Sequence, residues 1–118
     1  MKSHKDLDVW KAAISLARDI YVLTTDFPKE ELFGMSAQMR RCTVSIASNI
    51  AEGAARQGSK EFIQFLHIAL GSAAELETQL LISKEVGIAK AVDVDRLDRE
   101  LARIRKMLFG LILSVKGS

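Results

Sequence analysis

The sequence is poor both in residues that interrupt helices and in residues that build chemical sites. It has one proline, Pro28, and seven glycines, most of which fall between periodic apolar segments. Proline lacks the amide donor a helix needs, so a chain this short of it can sustain long helices. A single cysteine, Cys42, excludes an internal disulfide framework and suits a reducing compartment. No apolar run approaches the ~20 residues needed to span a bilayer. The longest, Met107–Val115, is broken by Gly110 and Ser114. The opening stretch, Met1–Asp8, is polar and has no hydrophobic signal core. Residues 1–6 are therefore expected to form a disordered tail, and the protein to be cytoplasmic, with no membrane contact.

What is present resembles an ordinary soluble domain. The chain is 48% hydrophobic and 27% charged, with 17 Lys and Arg against 15 Asp and Glu, a net charge of +2. Its 118 residues favour one domain. A domain of that size buries roughly two-thirds of its unfolded surface without needing a metal or disulfide.

Apolar residues recur at alternating spacings of four and three, the signature of amphipathic helices. Val9, Ala13, Leu16, Ile20, Leu23 and Phe27 mark a first helix, starting near Asp6 or Asp8 and ending before Pro28. Trp10, Ile14 and Tyr21 widen that seam, which predicts contact with more than one neighbour. After a short helical turn in 29–33 and a stop at Gly34, a second helix runs from Met35 to about Arg56. Its seam is Met35, Met39, Cys42, Ile46, Asn49 and Gly53, with many small residues alongside. Ser59 is the expected N-cap of a third helix, with Phe62, Leu66, Ala69, Ala73, Leu76 and Leu80 along its seam. Gly71 within it costs about 1 kcal/mol relative to alanine, which close packing against another helix would offset. Asp93 or Asp95 is expected to cap the fourth, whose seam is Leu97, Leu101, Ile104, Leu108, Leu111 and Val115. Phe109, Ile112 and Leu113 make its last turns apolar nearly all round. They are expected to form a subunit contact, the other reading being cover by the loop after Phe27. Short connections favour antiparallel neighbours, so the fold is expected to be all-α, an up-down-up-down four-helix bundle.

Catalytic and metal-binding patterns are hard to find. His67 would need ligands at i+3 or i+4, where Leu70 and Gly71 stand. Cys42 lies in an apolar pattern and reads as a buried structural thiol; no orienting group marks a Cys42–His67 pair. Glu75 and Glu77, two apart, do not share a helix face, and Glu30 and Glu31 read as solvated. Gly53 and Gly58 lack the spacing and lysine of a phosphate loop. The expectation is a non-enzyme without cofactor. Ser45, Asn49 and Glu52 fall in or beside the second seam and read as a polar layer that fixes helix register, or as a ligand pocket. Glu52 and Arg56 are also spaced as an i,i+4 pair. Basic residues occur as Arg40 and Arg41, as Arg56 and Lys60 around the second turn, and along the fourth helix. There Arg96, Arg99, Arg103 and Lys106 share roughly one face. With Asp95, Asp98 and Glu100 interspersed, they read as a mixed solvated surface or as a phosphate-binding stripe. No base-reading motif or surface aromatic platform accompanies them.

The combined pattern resembles a known family over nearly the whole length. It comprises Leu7–Ala13, Ile20-Tyr21, Phe27-Pro28, Gln38-Met39-Arg40-Arg41, Ser45–Gly53 with its Asn-Ile-Ala-Glu-Gly segment, Arg56, Glu61-Phe62, Phe65-Leu66, Ile68–Ser72 and Glu75-Leu76-Glu77. This is similar to the bacterial four-helix-bundle proteins encoded by intervening sequences in 23S ribosomal RNA genes. The resemblance implies an antiparallel bundle that assembles into a homopentamer. It also implies kinship with accessory proteins of diversity-generating retroelements, whose pentamers bind a reverse transcriptase and nucleic acid. It carries over no catalytic residues. Arg40, Arg41 and Arg56 match its basic positions, whereas the fourth-helix arginines do not belong to its pattern. The expected function is thus a homo-oligomer that binds RNA or DNA, or a scaffold for a protein partner such as a polymerase.

Overall fold

A computed structural model describes residues 3–117. Four long helices dominate it: α1 (Asp8–Thr25), α2 (Met35–Ala54), α3 (Ser59–Glu85) and α4 (Ala91–Lys116). Each packs on its neighbour in sequence and α4 returns to α1, while the diagonal pairs have no close backbone approach. Cross-links give the directions. Cys42 and Ser45 of α2 meet Glu75 and Ser72 of α3, so the two helices run antiparallel. Glu77 and Lys84 of α3 meet Arg105 and Asp95 of α4 in the same reversed order. Thr24 at the end of α1 bonds Arg40 near the start of α2.

The core follows the sequence periodicity closely. Leu16, Ile20, Met39, Ile46, Leu66, Leu76, Leu80, Leu97, Leu101, Ile104 and Leu108 are all fully buried, each contributing ~1.5–3 kcal/mol by leaving water. In the last turns of α4 the buried line passes from Leu108 to Ile112, four residues on and therefore on the same face. Ile112 is thus a core residue at 3% exposure, and its expected place in a subunit contact is corrected; Phe109 and Leu113 do remain exposed. The first helix does touch two neighbours, α2 and α4; of the residues that widen its seam, Trp10 packs against the core while Ile14 and Tyr21 are largely exposed, Tyr21 beneath Arg40 of α2.

Helix starts differ from the expected caps. Gly58, not Ser59, is the N-cap of α3, and Ser59 is its first helical residue. The fourth helix begins at Ala91 after an extended Lys90, so Asp93 sits inside its first turn, where it still favours the positive helix end. Residues 3–6, expected as part of a disordered tail, form a 3-10 turn at His4–Asp6; positions 1 and 2 lie outside the described residues. There the Ser3 hydroxyl accepts from the Lys5 amide and the Asp6 carboxylate accepts from the Ser3 amide. The His4 ring meets Trp10 edge-on at 5.0 Å.

Two of the helix-interior glycines, Gly53 and Gly71, behave oppositely. A Cβ on Gly53 would lie 2.8 Å from Phe65 Cβ and 3.0 Å from Phe62 Cδ1, so α2 and α3 touch through that missing side chain. At Gly71 nothing lies within 4 Å, and the close packing expected to offset it is not there. Gly53→Ala should therefore lower stability by about 1–3 kcal/mol through overpacking. Gly71→Ala should raise it by up to about 1 kcal/mol. Urea denaturation of both variants checks the pair; equal effects would contradict the assignment of the close contact to Gly53.

Candidate nucleic-acid interface

Basic side chains are held in three places, and their surroundings decide which of them remain available. On α4, Arg96, Arg99, Arg103 and Lys106 occupy one outward face. Arg103 is closed onto Glu100 at 2.6 Å, and Arg96 reaches Asp19 of α1 at 3.9 Å. Arg99 and Lys106 are exposed and have no ion-pair partner among the described residues. The acids that make this helix look mixed in sequence are mostly turned aside. Asp95 pairs with Lys84 of α3 at 3.2 Å, Glu100 holds Arg103, and Asp98 is partly buried with its Oδ1 unbonded among the described residues. Arg105, apart from the stripe, ties α4 to Glu77 of α3 at 3.1 Å.

Around the turn between α2 and α3, Arg56 lies between Glu52 at 3.3 Å and Glu61 at 3.8 Å, with its guanidinium 4.9 Å above the Phe65 ring. Two carboxylates offset its charge, while Lys60 beside it is exposed and unpaired among the described residues. Near the opposite end of α2, Arg41 is exposed and Arg40 half-buried. Arg40 Nε donates to Thr24 Oγ1 at 2.8 Å and its guanidinium stacks 4.8 Å from the Tyr21 ring. The eight basic residues do not converge on one patch. They occupy the outer face of α4, the α2–α3 turn and the α1–α2 corner.

Surface aromatics, not expected from the sequence, are present. Phe33, between α1 and α2, is 93% exposed, and Tyr21 shows its free side beside Arg40. No periodicity marks Phe33, because it stands outside any helical seam. The ion pairs between helices were equally hidden, since they join residues far apart in sequence.

The polar residues of α2 divide. Asn49 Nδ2 donates to the Ser45 carbonyl at 2.8 Å and to its hydroxyl at 3.0 Å, and Ser45 Oγ meets Ser72 Oγ of α3 at 2.8 Å. Glu52 is not joined to that chain; it is exposed and paired with Arg56. Cys42 is buried and its thiol donates to Glu75 Oε2 at 3.4 Å. Burial, and then the Glu75 carboxylate, push the thiol pKa up. His67 lies exposed about two turns earlier on α3. The arrangement favours an inert thiol. Thr43 Oγ1 and Gln79 Oε1 are buried without hydrogen bonds among the described residues. No group of three His, Cys, Asp or Glu among those residues is placed to hold a metal, and no helix is long and apolar enough to cross a membrane.

These features define an all-helical bundle whose polar chemistry lies on outer faces and helix seams. The chain belongs to the 23S rRNA-intervening sequence protein family, which it matches over residues 5–110. Among solved structures, it is similar to a protein of unknown function from the S23 ribosomal protein family of Bacteroides thetaiotaomicron. The two are 28% identical with a TM-score of 0.82, over 88% of this chain and 97% of that one. Among curated proteins no sequence matches.

The raised Cys42 pKa has a signed consequence. A thiol harder to ionise when folded contributes stability that is complete below its unfolded pKa and declines as pH rises towards the folded one. The denaturation midpoint should therefore fall in alkaline solution more for the native chain than for Cys42→Ala, and iodoacetamide should label native Cys42 far more slowly than the urea-unfolded chain. Comparable labelling rates would show an accessible thiolate.

Proposed function

We propose that this protein is a non-catalytic, cytoplasmic homo-oligomer that binds RNA or DNA phosphates through a basic surface repeated by its symmetry. The carrying observation is the outer face of α4, where neighbouring acids are engaged with Lys84 and Arg103 or partly buried, leaving Arg99 and Lys106 without an ion pair among the described residues. Seven residues apart, they lie ~10 Å from each other along the helix. A single copy offers few contacts, so repetition matters. Five copies, the number the family resemblance implies, would present ten such cations.

Self-association is supported by Phe109 and Leu113, which are 52% and 69% exposed on the same helix beside an exposed Gly110 with open space around it. Lys106, one turn before Phe109, would rim a contact made there. The second reading, a scaffold for a protein partner such as a polymerase, is favoured by further exposed apolar side chains, Val44, Ile68 and Ile82, on α2 and α3.

Fluorescence anisotropy with a structured RNA across a salt series tests the nucleic-acid reading. Binding should weaken steeply with salt, and Arg99→Ala with Lys106→Ala should reduce the log–log slope by about 1.4–1.8 for each engaged protomer. Binding absent at low salt, or indifferent to salt, would move the assignment to a protein partner. In light scattering, Leu113→Glu should shrink the particle while leaving helix content unchanged. An unaltered particle would place the contact elsewhere.

A further inference from the structure

The corner between α1 and α2 holds a cation whose position no ion pair explains. Arg40 is half-buried, and two contacts fix it: Nε bonds Thr24 Oγ1 at 2.8 Å and the guanidinium plane rests 4.8 Å from the Tyr21 ring. Thr24 is itself held, its hydroxyl donating to the Ile20 carbonyl at 2.8 Å. Both terminal amino groups of Arg40 are left without a partner among the described residues. None of the acids in the α1–α2 connection, Asp26, Glu30 and Glu31, forms an ion pair with Arg40. Glu31 accepts from the Met35 amide at 3.3 Å, and Asp26 faces a different hollow towards Arg96.

Arg40 opens onto a pocket of about 260 Å³ that Lys29 and Ser36 also line, and no carboxylate lines it. Ser36 is 2% exposed and its hydroxyl makes no hydrogen bond to the described residues. Phe27 and Leu32 supply an apolar wall. Two cations without a counter-charge match a dianion. The free edge of a fixed guanidinium suits two oxygens of one oxyanion, and the Ser36 hydroxyl can donate to a third. A carboxylate has one charge and two oxygens and would use half of this set. At ~30 Å³ for a water in the liquid, the pocket exceeds what a bare phosphate fills and leaves space for part of its ester group.

We infer that the α1–α2 corner is a binding site for a phosphate monoester, gripped by Arg40 and Lys29. The site does not rest on the α4 stripe, which lies on another helix and is tested by other variants. The plain alternative is that Arg40 is only a strut between α1 and α2.

The two readings separate in an amide-resolved NMR titration of the full chain with inorganic phosphate. The site predicts saturable shifts at Thr25 and Ser36, none at Lys60, and affinity reduced about tenfold or more in both Arg40→Gln and Lys29→Gln. Lys29 is exposed, so its variant keeps the test valid even where Arg40→Gln loosens the corner. An oligonucleotide with a 5′-phosphate and its 5′-hydroxyl twin then identify the source. Tighter binding of the phosphorylated one, abolished by Lys29→Gln, assigns the site to nucleic-acid ends; equal binding of the two, with the phosphate shifts intact, assigns it to small phosphate esters. Absence of phosphate shifts at Thr25 and Ser36, or a Lys29→Gln chain that binds phosphate as the native one does, would leave Arg40 a strut and overturn the proposal.

Discussion

The close approach of α2 to α3 is the constraint around which the bundle is arranged. At Gly53 the backbone of α2 comes within a missing methyl of Phe62 and Phe65, and Gly53 is buried there. No other residue type leaves that space. Further along, the same seam narrows to hydroxyl contact, with Ser45 against Ser72 and the Cys42 thiol against Glu75. These two helices have the most extensive mutual packing in the fold. With their register set by steric fit at one end and hydrogen bonds in the middle, the large aliphatic residues of α1 and α4 fill the remaining sides. Large-to-small changes there would open cavities, but they would not shift the register.

The same seam explains why its polar residues are tolerated. Asn49 would be expensive in an apolar interior, yet it bonds both the carbonyl and the hydroxyl of Ser45 one turn earlier. Ser45 passes the connection to α3. The chain of bonds joins two helices at a single height, as a register device must. Thr43 Oγ1 and Gln79 Oε1, buried without a hydrogen bond among the described residues, are the exceptions. Nothing in their surroundings accounts for them.

Fold class and core were legible because burial imposes a period on sequence. The expected seams name nearly every fully buried large residue, and they fail where the period alone is ambiguous. Leu111 and Ile112 are adjacent in an apolar run, and only the neighbouring helices decide that Ile112 turns inward. Helix starts were misplaced because Gly58 and Lys90 end their loops in extended backbone without any side-chain cap, so no capping residue marks them. The basic surface was legible only as a list of positions. Which arginine is free depends on acids contributed by other helices: Asp19 for Arg96, Glu77 for Arg105, Lys84 drawing Asp95 away. Those pairings are absent from any local window.

What the bundle keeps exposed is not needed by its own core. Gly71 and Gly110 interrupt exposed helix faces with nothing near them, although alanine would be more stable at both positions. Phe33, Val44, Ile68, Phe109 and Leu113 stand in water while smaller apolar residues such as Ala69 and Ala73 are buried. A sequence shaped only for the stability of one bundle would exchange these roles. Arg40 fits the same logic: it is held by Tyr21 and Thr24 with its terminal amino groups unpaired among the described residues, when a neutral side chain could bridge α1 and α2 without bringing a charge into a half-buried corner. Residues that the single bundle does not require, left exposed or half-exposed on its surface, are the physical ground on which the proposed binding role rests.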